Sequence, residues 1–210
     1  EPIIDWKNSK VIYLKMAHVY INPNGLAGDY KRAVGPEYEF LRSHVIDALE
    51  NLKDENGTKP VVQIVKWEDA KVHILTHALH YGSAVFDGIH SYKTNEGTAV
   101  FRLEEHLNRL FYSAESLGLE PGFTKAEIKN AMIKTLKSNG LDDAYIRPLI
   151  YYGYGNIGVF PKDVPTNVAV ITVPWGSYYS KNLRVMASKY VRNAPESTVF
   201  GTKISGNYAN

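Results

Sequence analysis

Apolar residues recur with a strand-like pattern at many places along this chain of 210 residues. Short runs rich in β-branched and aromatic residues are bounded by Gly, Pro, Asn and Asp, which is typical of β-strands. These runs predict strands at 11–21, 61–65, 71–75, 83–92, 98–102, 144–153, 167–173 and 183–191. The turn sequence KTNEG predicts a hairpin between the fourth and fifth of them. Pro148 lacks a backbone N–H, so it predicts a sheet edge or a bulge within its strand.

Other segments have the helical period instead. Residues 35–52 have Pro36 at a helix start and carry apolar residues at helical spacing. Residues 103–118 place leucines and alanine along one stripe, and Thr124 with Glu127 fits a capping box that opens another helix. That helix ends at the Asn-Gly pair 139–140. The predicted fold class is α+β, with two helices laid on a mainly antiparallel sheet.

Composition narrows the function classes without naming one. The chain has 24 basic and 22 acidic residues, a formal charge of +2, so no global field favours nucleic acid or a membrane surface. No apolar run approaches the roughly 18 residues of a membrane span. The absence of cysteine removes thiolate nucleophiles and cysteine-based metal sites. We therefore expect a soluble cytoplasmic protein.

The sequence VFGTKISGNYAN at 199–210 raises the possibility of covalent chemistry. Lysine forms a Schiff base with a carbonyl cofactor once its surroundings lower its pKa, and Lys203 is a candidate for that role. Tyr208 is placed to hydrogen-bond a phenolic oxygen of such a cofactor. An ordinary solvated lysine in a surface loop remains the alternative.

Two arginines are further candidates. Strand alternation puts Tyr145 and Arg147 on one face, where a guanidinium beside a phenol suits a carboxylate. The alternative is a solvated strand face. Arg109 flanks the apolar stripe of its helix, where it either holds a phosphate or lies along its apolar neighbours.

Histidines and glycines between 76 and 88 complete the candidates. His77 and His80 lie three residues apart, but no carboxylate or third histidine supports them, so no metal site is predicted. Gly82 and Gly88 allow the backbone to approach a ligand closely. The glycine-rich segment 151–158 lacks the pattern of a phosphate loop and is predicted to be a mobile loop.

Five motifs together resemble one family. Their order and spacing are similar to those of the branched-chain amino acid aminotransferases, pyridoxal-phosphate enzymes of fold type IV. The resemblance runs from about Val61 to Asn210. The motifs are WEDAKVHILTHALHYGSAVFDGI, VFRLEEHLNRL, AYIRPLIYYG, VPWGSYY and TKISGNYAN.

The resemblance implies roles for individual residues. Lys203 matches the lysine that forms the internal aldimine with pyridoxal 5'-phosphate and moves the proton during catalysis. Arg109 matches the arginine on the cofactor phosphate, and Tyr208 matches the tyrosine on the ring 3-hydroxyl. Tyr145 and Arg147 match the pair that faces the substrate, where the arginine binds the distal carboxylate of glutamate. The aromatic walls of the substrate pocket and the glycine beside them are matched by Tyr81, Phe86, Trp175 and Gly88.

The implied reaction moves an amino group between leucine, isoleucine or valine and 2-oxoglutarate, with ping-pong kinetics. The cofactor is the electron sink, and the protein supplies position, a phosphate anchor and a base. Ile157 and Val159 match a loop that reaches the active site of the neighbouring subunit, which implies a homodimer.

The chain departs from the family pattern at three places. It has Asp87-Gly88-Ile89-His90 where members usually read Glu-Gly-Ile-Arg. Residues 1–60 match nothing in the family. The chain ends two residues after Tyr208, before the usual acidic partner of the pyridinium nitrogen. This polypeptide alone is therefore expected to be inactive, or nearly so.

The expected domain division follows the motifs. Residues 1–60 form an unassigned βα segment, and 61–171 form a small α+β domain. Residues 172–182 connect the domains, and 183–210 begin a larger, β-rich cofactor-binding domain. Alternatives are a D-amino acid aminotransferase, an aminodeoxychorismate lyase of the same fold, or a non-catalytic fragment or assembly module.

Overall fold

The computed structural model describes residues 10–15, 61–175 and 183–209. Within these ranges, strands and helices form the expected α+β arrangement, with every strand pairing antiparallel. The helix predicted at 35–52 lies outside the described residues. No helix in the described part of the chain combines the length and apolar character that crossing a bilayer requires.

One sheet contains all seven described strands. The strands are β1 Lys10–Lys15, β2 Val61–Lys66, β3 Ala84–Phe86, β4 Ile89–Thr94, β5 Gly97–Val100, β6 Ala144–Tyr152 and β7 Thr166–Pro174. Their order is β2-β1-β7-β6-β4-β5, and β3 also pairs with β6. The hairpin predicted around KTNEG is β4–β5. Because β1 lies between β2 and β7, part of the 1–60 segment belongs to this sheet; the domain boundaries remain a prediction.

Strands β3 and β4 pair one after the other with the same edge of β6. Phe86 pairs with Leu149 and Ile89 with Ile146, so the register is continuous across the interruption at residues 87–88. Pro148 lies opposite that interruption, and its carbonyl accepts a hydrogen bond of 3.1 Å from the Asp87 N–H. The prediction of an edge or a bulge at Pro148 is wrong. Its strand lies inside the sheet, and the missing N–H faces the residues where the neighbouring ladder is interrupted.

The two longer helices cover one face of the sheet, whereas a short first helix packs through Ala78 against Ala84 and Tyr151 on the other face. Helix α1 is His77–Tyr81, α2 is Leu103–Ser116 and α3 is Lys125–Ser138. The apolar stripes of α2 and α3 meet the sheet in one core that includes Leu107, Leu110, Ile128, Met132, Val85, Ile89, Ile146, Ile150 and Val168. Burying each of these side chains contributes about 1.5–3 kcal/mol. The two long helices therefore hold one face of β3, β4 and β6 rigidly.

The capping box of α3 is confirmed. The Thr124 hydroxyl accepts a hydrogen bond from the Glu127 N–H at 3.2 Å, and the Glu127 carboxylate accepts one from the Thr124 N–H at 2.7 Å. The helix ends at Ser138 with Asn139 as its C-cap, and Gly140 follows with φ +61°. Both ends of α3 therefore match the sequence signals.

Two predicted strands are wrong. Residues 71–75 form a loop and turn, and the apolar members Val72 and Ile74 are exposed. Residues 183–191 form no strand, and Val185 and Met186 are 90% exposed. A strand is stable only beside a partner that satisfies its N–H and C=O groups, and no described strand lies beside either segment. Helix α1 was missed because five residues are too few to display a helical period.

Candidate active site

Strand alternation divides the side chains of residues 85–90, in and between β3 and β4, between the two faces of the sheet. Val85, Asp87 and Ile89 are fully buried toward the helices. Phe86, Gly88 and His90 are half-buried on the opposite face. That face also carries Tyr145, which pairs with His90, and Arg147, which lies two residues further along β6. The candidate residues of three motifs therefore converge on one side of the sheet.

Tyr145 and Arg147 are in contact, as the alternation predicted. The Arg147 Nη2 and Nε atoms donate hydrogen bonds of 2.8 and 3.2 Å to the Tyr145 hydroxyl. The guanidinium lies over the ring of Phe86, 5.0 Å from its centroid. Gly88 leaves room for this pair, since a Cβ there would lie 2.5 Å from the Tyr145 oxygen. The result is an exposed cation framed by two aromatic rings.

Trp175 extends the aromatic wall. Its ring stacks on Tyr145 with centroids 4.6 Å apart. His90 stands edge-on to the same indole, at 5.1 Å. His90 occupies the position where the resembled family usually has arginine, so an imidazole ring takes the place of a guanidinium at this rim.

Lys203 is fixed to the edge of the sheet through its backbone. Its carbonyl accepts a hydrogen bond of 3.1 Å from the Phe86 N–H. Its N–H donates to the Ser113 hydroxyl of α2 at 3.0 Å. Val85 and Ile204 form an antiparallel bridge alongside. The lysine backbone is therefore held by the strand and by the helix at once.

The Lys203 amine points toward the aromatic face. Its Nζ donates a hydrogen bond of 2.7 Å to the Tyr208 hydroxyl and lies 4.7 Å from the centroid of the Phe86 ring. Tyr208 packs on Phe86 with ring centroids 5.1 Å apart. This brings together the lysine and tyrosine that the sequence singled out.

A pair of glycines allows the turn that carries Tyr208 to approach the sheet. The Gly206 N–H donates a hydrogen bond of 3.2 Å to the Gly82 carbonyl. Gly82 ends α1 in the left-handed region with φ +62°, and a Cβ on it would lie 2.8 Å from the Gly206 Cα. The sequence predicted close approach to a ligand at this glycine, and the structure shows close approach to the Gly206 backbone instead.

Arg109 is bound to a buried carboxylate. Asp87 is 0% exposed, and its two oxygens accept hydrogen bonds of 2.8 and 2.7 Å from the Arg109 Nε and Nη2. The His106 ring nitrogen and the Gly88 N–H also contact Asp87, at 2.9 and 2.7 Å. The hydrogen bonds to Asp87 raise the pKa of the Arg109 guanidinium, and Tyr208 adds a smaller electrostatic effect in the same direction. The Arg109 side chain is therefore fixed in place by the Asp87 carboxylate.

This ion pair leaves part of the guanidinium available. A guanidinium has five N–H donors in a planar fork, and Asp87 occupies the edge formed by Nε and Nη2. Among the described residues, no acceptor takes a hydrogen bond from Nη1, and the side chain is 41% exposed. The free edge suits an anion such as a phosphate.

Ser113 joins the two candidate cofactor anchors. Its hydroxyl donates to the Arg109 carbonyl at 2.7 Å and accepts from the Lys203 N–H at 3.0 Å. Sequence reasoning missed this serine and also the role of Asp87. A signal for Asp87 was present, because strand alternation places this carboxylate on the core-facing side between two apolar residues.

Tyr81 and the histidines of α1 lie apart from this cluster. The Tyr81 hydroxyl donates to the Ile157 carbonyl at 2.7 Å. The His77 ring contacts the Ser83 hydroxyl and the Gly158 carbonyl, at 2.7 and 3.0 Å. No group of three or more His, Cys, Asp or Glu suited to a metal ion occurs in the part of the chain that the structure describes. The contacts of Tyr81 instead attach the 153–160 loop to α1.

Comparison with known proteins gives this constellation a family. The sequence model of the family described as "Amino-transferase class IV" matches residues 84–210, which contain Arg109, Tyr145, Arg147, Lys203 and Tyr208. This chain belongs to the class IV aminotransferase family.

Curated relatives of this class IV chain are branched-chain-amino-acid aminotransferases. That of Escherichia coli (strain K12) is 39% identical over 152 residues, which cover 70% of this chain and 49% of the relative. That of Pseudomonas aeruginosa is 35% identical over 153 residues, covering 70% and 50%. The class IV chain therefore spans about half the length of the curated relatives it matches.

Solved structures agree with the sequence comparison. The E. coli branched-chain amino acid aminotransferase has a TM-score of 0.67 at 38% identity, covering 70% of this chain and 50% of that one. The branched-chain amino acid aminotransferase of Thermobaculum terrenum, solved in its PLP form, has a TM-score of 0.60 at 31% identity, with the same coverage. The described part of the class IV chain thus has the fold of these enzymes. Its family implies a pyridoxal 5'-phosphate cofactor, and other solved neighbours contain pyridoxamine 5'-phosphate or a phosphopyridoxyl-glutamate.

Proposed function

We propose that the protein containing this chain transfers the amino group between L-leucine, L-isoleucine or L-valine and 2-oxoglutarate, with pyridoxal 5'-phosphate as cofactor. The single observation that carries this proposal is the meeting of a lysine amine, a phenol and a half-free guanidinium within one site. The amine of Lys203 contacts the Tyr208 hydroxyl, and the Ser113 hydroxyl joins the Lys203 N–H to the Arg109 carbonyl. The names of the relatives support the substrate class.

The donor set fits the cofactor. Arg109 would hold the phosphate through the edge that Asp87 leaves free, Tyr208 would hydrogen-bond the ring 3-hydroxyl, and Lys203 would provide the amine for covalent attachment. When bound, the cofactor supplies an electron sink for charge that develops at the substrate Cα. The amine of Lys203 would then carry a proton to and from that carbon. Phe86, packed on Tyr208, gives this site an apolar side.

The aromatic face fits the two kinds of substrate. Phe86, Tyr145 and Trp175 present apolar surface that suits an aliphatic side chain. Arg147 adds a guanidinium at the edge of that surface, and guanidinium pairs well with a carboxylate. A site of this kind accepts a branched apolar acid and a dicarboxylic acid in turn. The resemblance also assigns Tyr81 to the pocket wall, although its hydroxyl is bound to the Ile157 carbonyl, away from Phe86 and Tyr145.

A homodimer is part of the proposal. Ile157, Val159 and Phe160 are exposed by 53%, 77% and 77% on the loop that Tyr81 and His77 attach to α1. Contact with a second subunit would remove this apolar surface from water. Residues 183–209 would then begin the larger cofactor-binding domain. A cytoplasmic location remains a prediction.

The test is a half-reaction on the full-length protein loaded with pyridoxal 5'-phosphate. Conversion of the cofactor to its pyridoxamine form is followed by absorbance after addition of L-leucine or D-alanine. Rapid conversion with L-leucine and slow conversion with D-alanine is expected. The opposite preference would favour a D-amino acid aminotransferase, and no conversion with either would favour a non-catalytic fragment.

A further inference from the structure

Ser113 occupies an unusual place between the two ends of the proposed cofactor site. It lies on α2 one helical turn after Arg109 and is fully buried. Its hydroxyl makes two hydrogen bonds, one to the Arg109 carbonyl at 2.7 Å and one from the Lys203 N–H at 3.0 Å. One oxygen atom thus connects the backbones of two residues that are far apart in sequence.

We infer that Ser113 is a positioning residue that fixes the spacing between the Lys203 amine and the Arg109 guanidinium. This inference rests on the proposed function, in which those two groups hold opposite ends of one cofactor molecule. Ser113 itself points into the core and contacts backbone atoms, so it need not touch the cofactor.

The contacts around Lys203 explain why one hydroxyl has this effect. The Phe86 N–H holds the Lys203 carbonyl to the sheet, whereas Ser113 holds its N–H to the helix. Without the hydroxyl, the Lys203 N–H loses its acceptor on α2, and the long hydrogen bond of 3.5 Å from the Tyr112 hydroxyl to the Phe200 carbonyl still joins this helix to the segment. The helix carrying Arg109 and the segment carrying Lys203 are then held less firmly relative to each other.

A ligand with two anchoring groups is sensitive to such a shift. When one group is bound, the second binds with an effective concentration that depends on how well the spacing of the two anchors matches the ligand. A ligand that uses only one anchor gains nothing from the fixed spacing. The two kinds of ligand therefore distinguish a spacing role from a general loss of structure.

The experiment compares three ligands on the full-length protein and its Ser113→Ala variant. Pyridoxal 5'-phosphate carries the aldehyde and the phosphate, pyridoxal lacks the phosphate, and pyridoxine 5'-phosphate lacks the aldehyde. Dissociation constants are measured by fluorescence titration of the apo protein. We expect the variant to bind pyridoxal 5'-phosphate about tenfold more weakly, because the mismatched spacing lowers the effective concentration at the second anchor. The other two ligands should change by less than about twofold.

Ser116→Ala is the matched control. Ser116 lies on the same helix, and its hydroxyl donates to the Ser113 carbonyl at 2.7 Å without contacting the Lys203 segment. This variant should bind all three ligands as the wild type does. An equal weakening of all three ligands in Ser113→Ala, or no weakening of any, would overturn the inference.

Two further measurements, amide hydrogen exchange and borohydride reduction, keep the result interpretable. If Ser113→Ala does not fold, amide hydrogen exchange on the wild-type apo protein replaces it: the Lys203 amide should be protected, and exchange at the rate of an exposed amide would overturn the inference. Borohydride reduction of the loaded wild type tests the proposed function separately. A pyridoxyl group on Lys203, combined with unchanged binding by Ser113→Ala, would reject the spacing role alone.

Discussion

The ion pair between Arg109 and Asp87 gives a quantitative prediction about stability. Replacing Arg109 by Ala leaves a completely buried carboxylate without its main partner. Breaking a buried ion pair from one side costs about 3–5 kcal/mol. Arg109 is itself 41% exposed, and the Gly88 N–H and His106 still contact Asp87. We therefore expect Arg109→Ala to lower the free energy of unfolding by about 3 kcal/mol, at the lower end of that range.

A double variant separates the buried charge from other effects of the substitution. Asp87→Asn removes the negative charge, so Arg109→Ala should cost much less in that background. The coupling energy between the two substitutions should be at least about 1.5 kcal/mol. Lys129→Ala is a suitable control, because Lys129 pairs with the exposed Glu104 on the helix surface. An exposed pair of this kind contributes at most about 1 kcal/mol.

Urea unfolding of the full-length apo protein, followed by circular dichroism at one fixed protein concentration, measures these differences. The reasoning is refuted if Arg109→Ala unfolds within about 0.5 kcal/mol of the wild type, the range of ordinary surface substitutions. Strict additivity of Arg109→Ala and Asp87→Asn would refute it as well. Since the same arginine is the proposed phosphate anchor, its loss should reduce both stability and cofactor affinity.

Three other substitutions test separate parts of the site and the fold. Gly88→Ala should displace the Tyr145 hydroxyl, since the new Cβ would lie 2.5 Å from it, and steady-state kinetics should show a raised KM for L-leucine. Arg147→Gln should slow the half-reaction of the pyridoxamine form with 2-oxoglutarate about tenfold or more. The half-reaction with 4-methyl-2-oxopentanoate should change little, because this acid lacks the second carboxylate of 2-oxoglutarate. Equal slowing with both acids would count against the carboxylate role of Arg147. Thr124→Ala should lower the free energy of unfolding by about 1 kcal/mol through loss of the α3 cap, measured by the same urea titration, whereas an unchanged midpoint would contradict the contribution of the cap.

Local sequence patterns were sufficient for much of the fold. Alternation placed Tyr145 and Arg147 on one face, and the helical stripe and capping box gave α2 and α3. These features depend on residues close in sequence, so the period of the pattern identifies them. The strand predicted at 183–191 failed because apolar residues alone do not supply the partner that a strand requires.

The connections within the site depend on distant residues, and the sequence pattern did not reveal them. Asp87 and Arg109 are 22 positions apart, and Ser113 and Lys203 are 90 apart. Each pair meets only because β3 and the residues after it, helix α2 and the segment around Lys203 pack together. A family resemblance named Arg109 and Lys203 as cofactor anchors, but the groups that orient them become visible only in three dimensions.

Location of the covalent bond tests the central claim most directly. The full-length protein is incubated with pyridoxal 5'-phosphate, reduced with borohydride and digested, and the peptides are analysed by mass spectrometry. We predict one pyridoxyl group, on Lys203, and none after Lys203→Ala in an otherwise folded protein. A modification on a different lysine, or an absorbance and adduct that persist in Lys203→Ala, would contradict the claim.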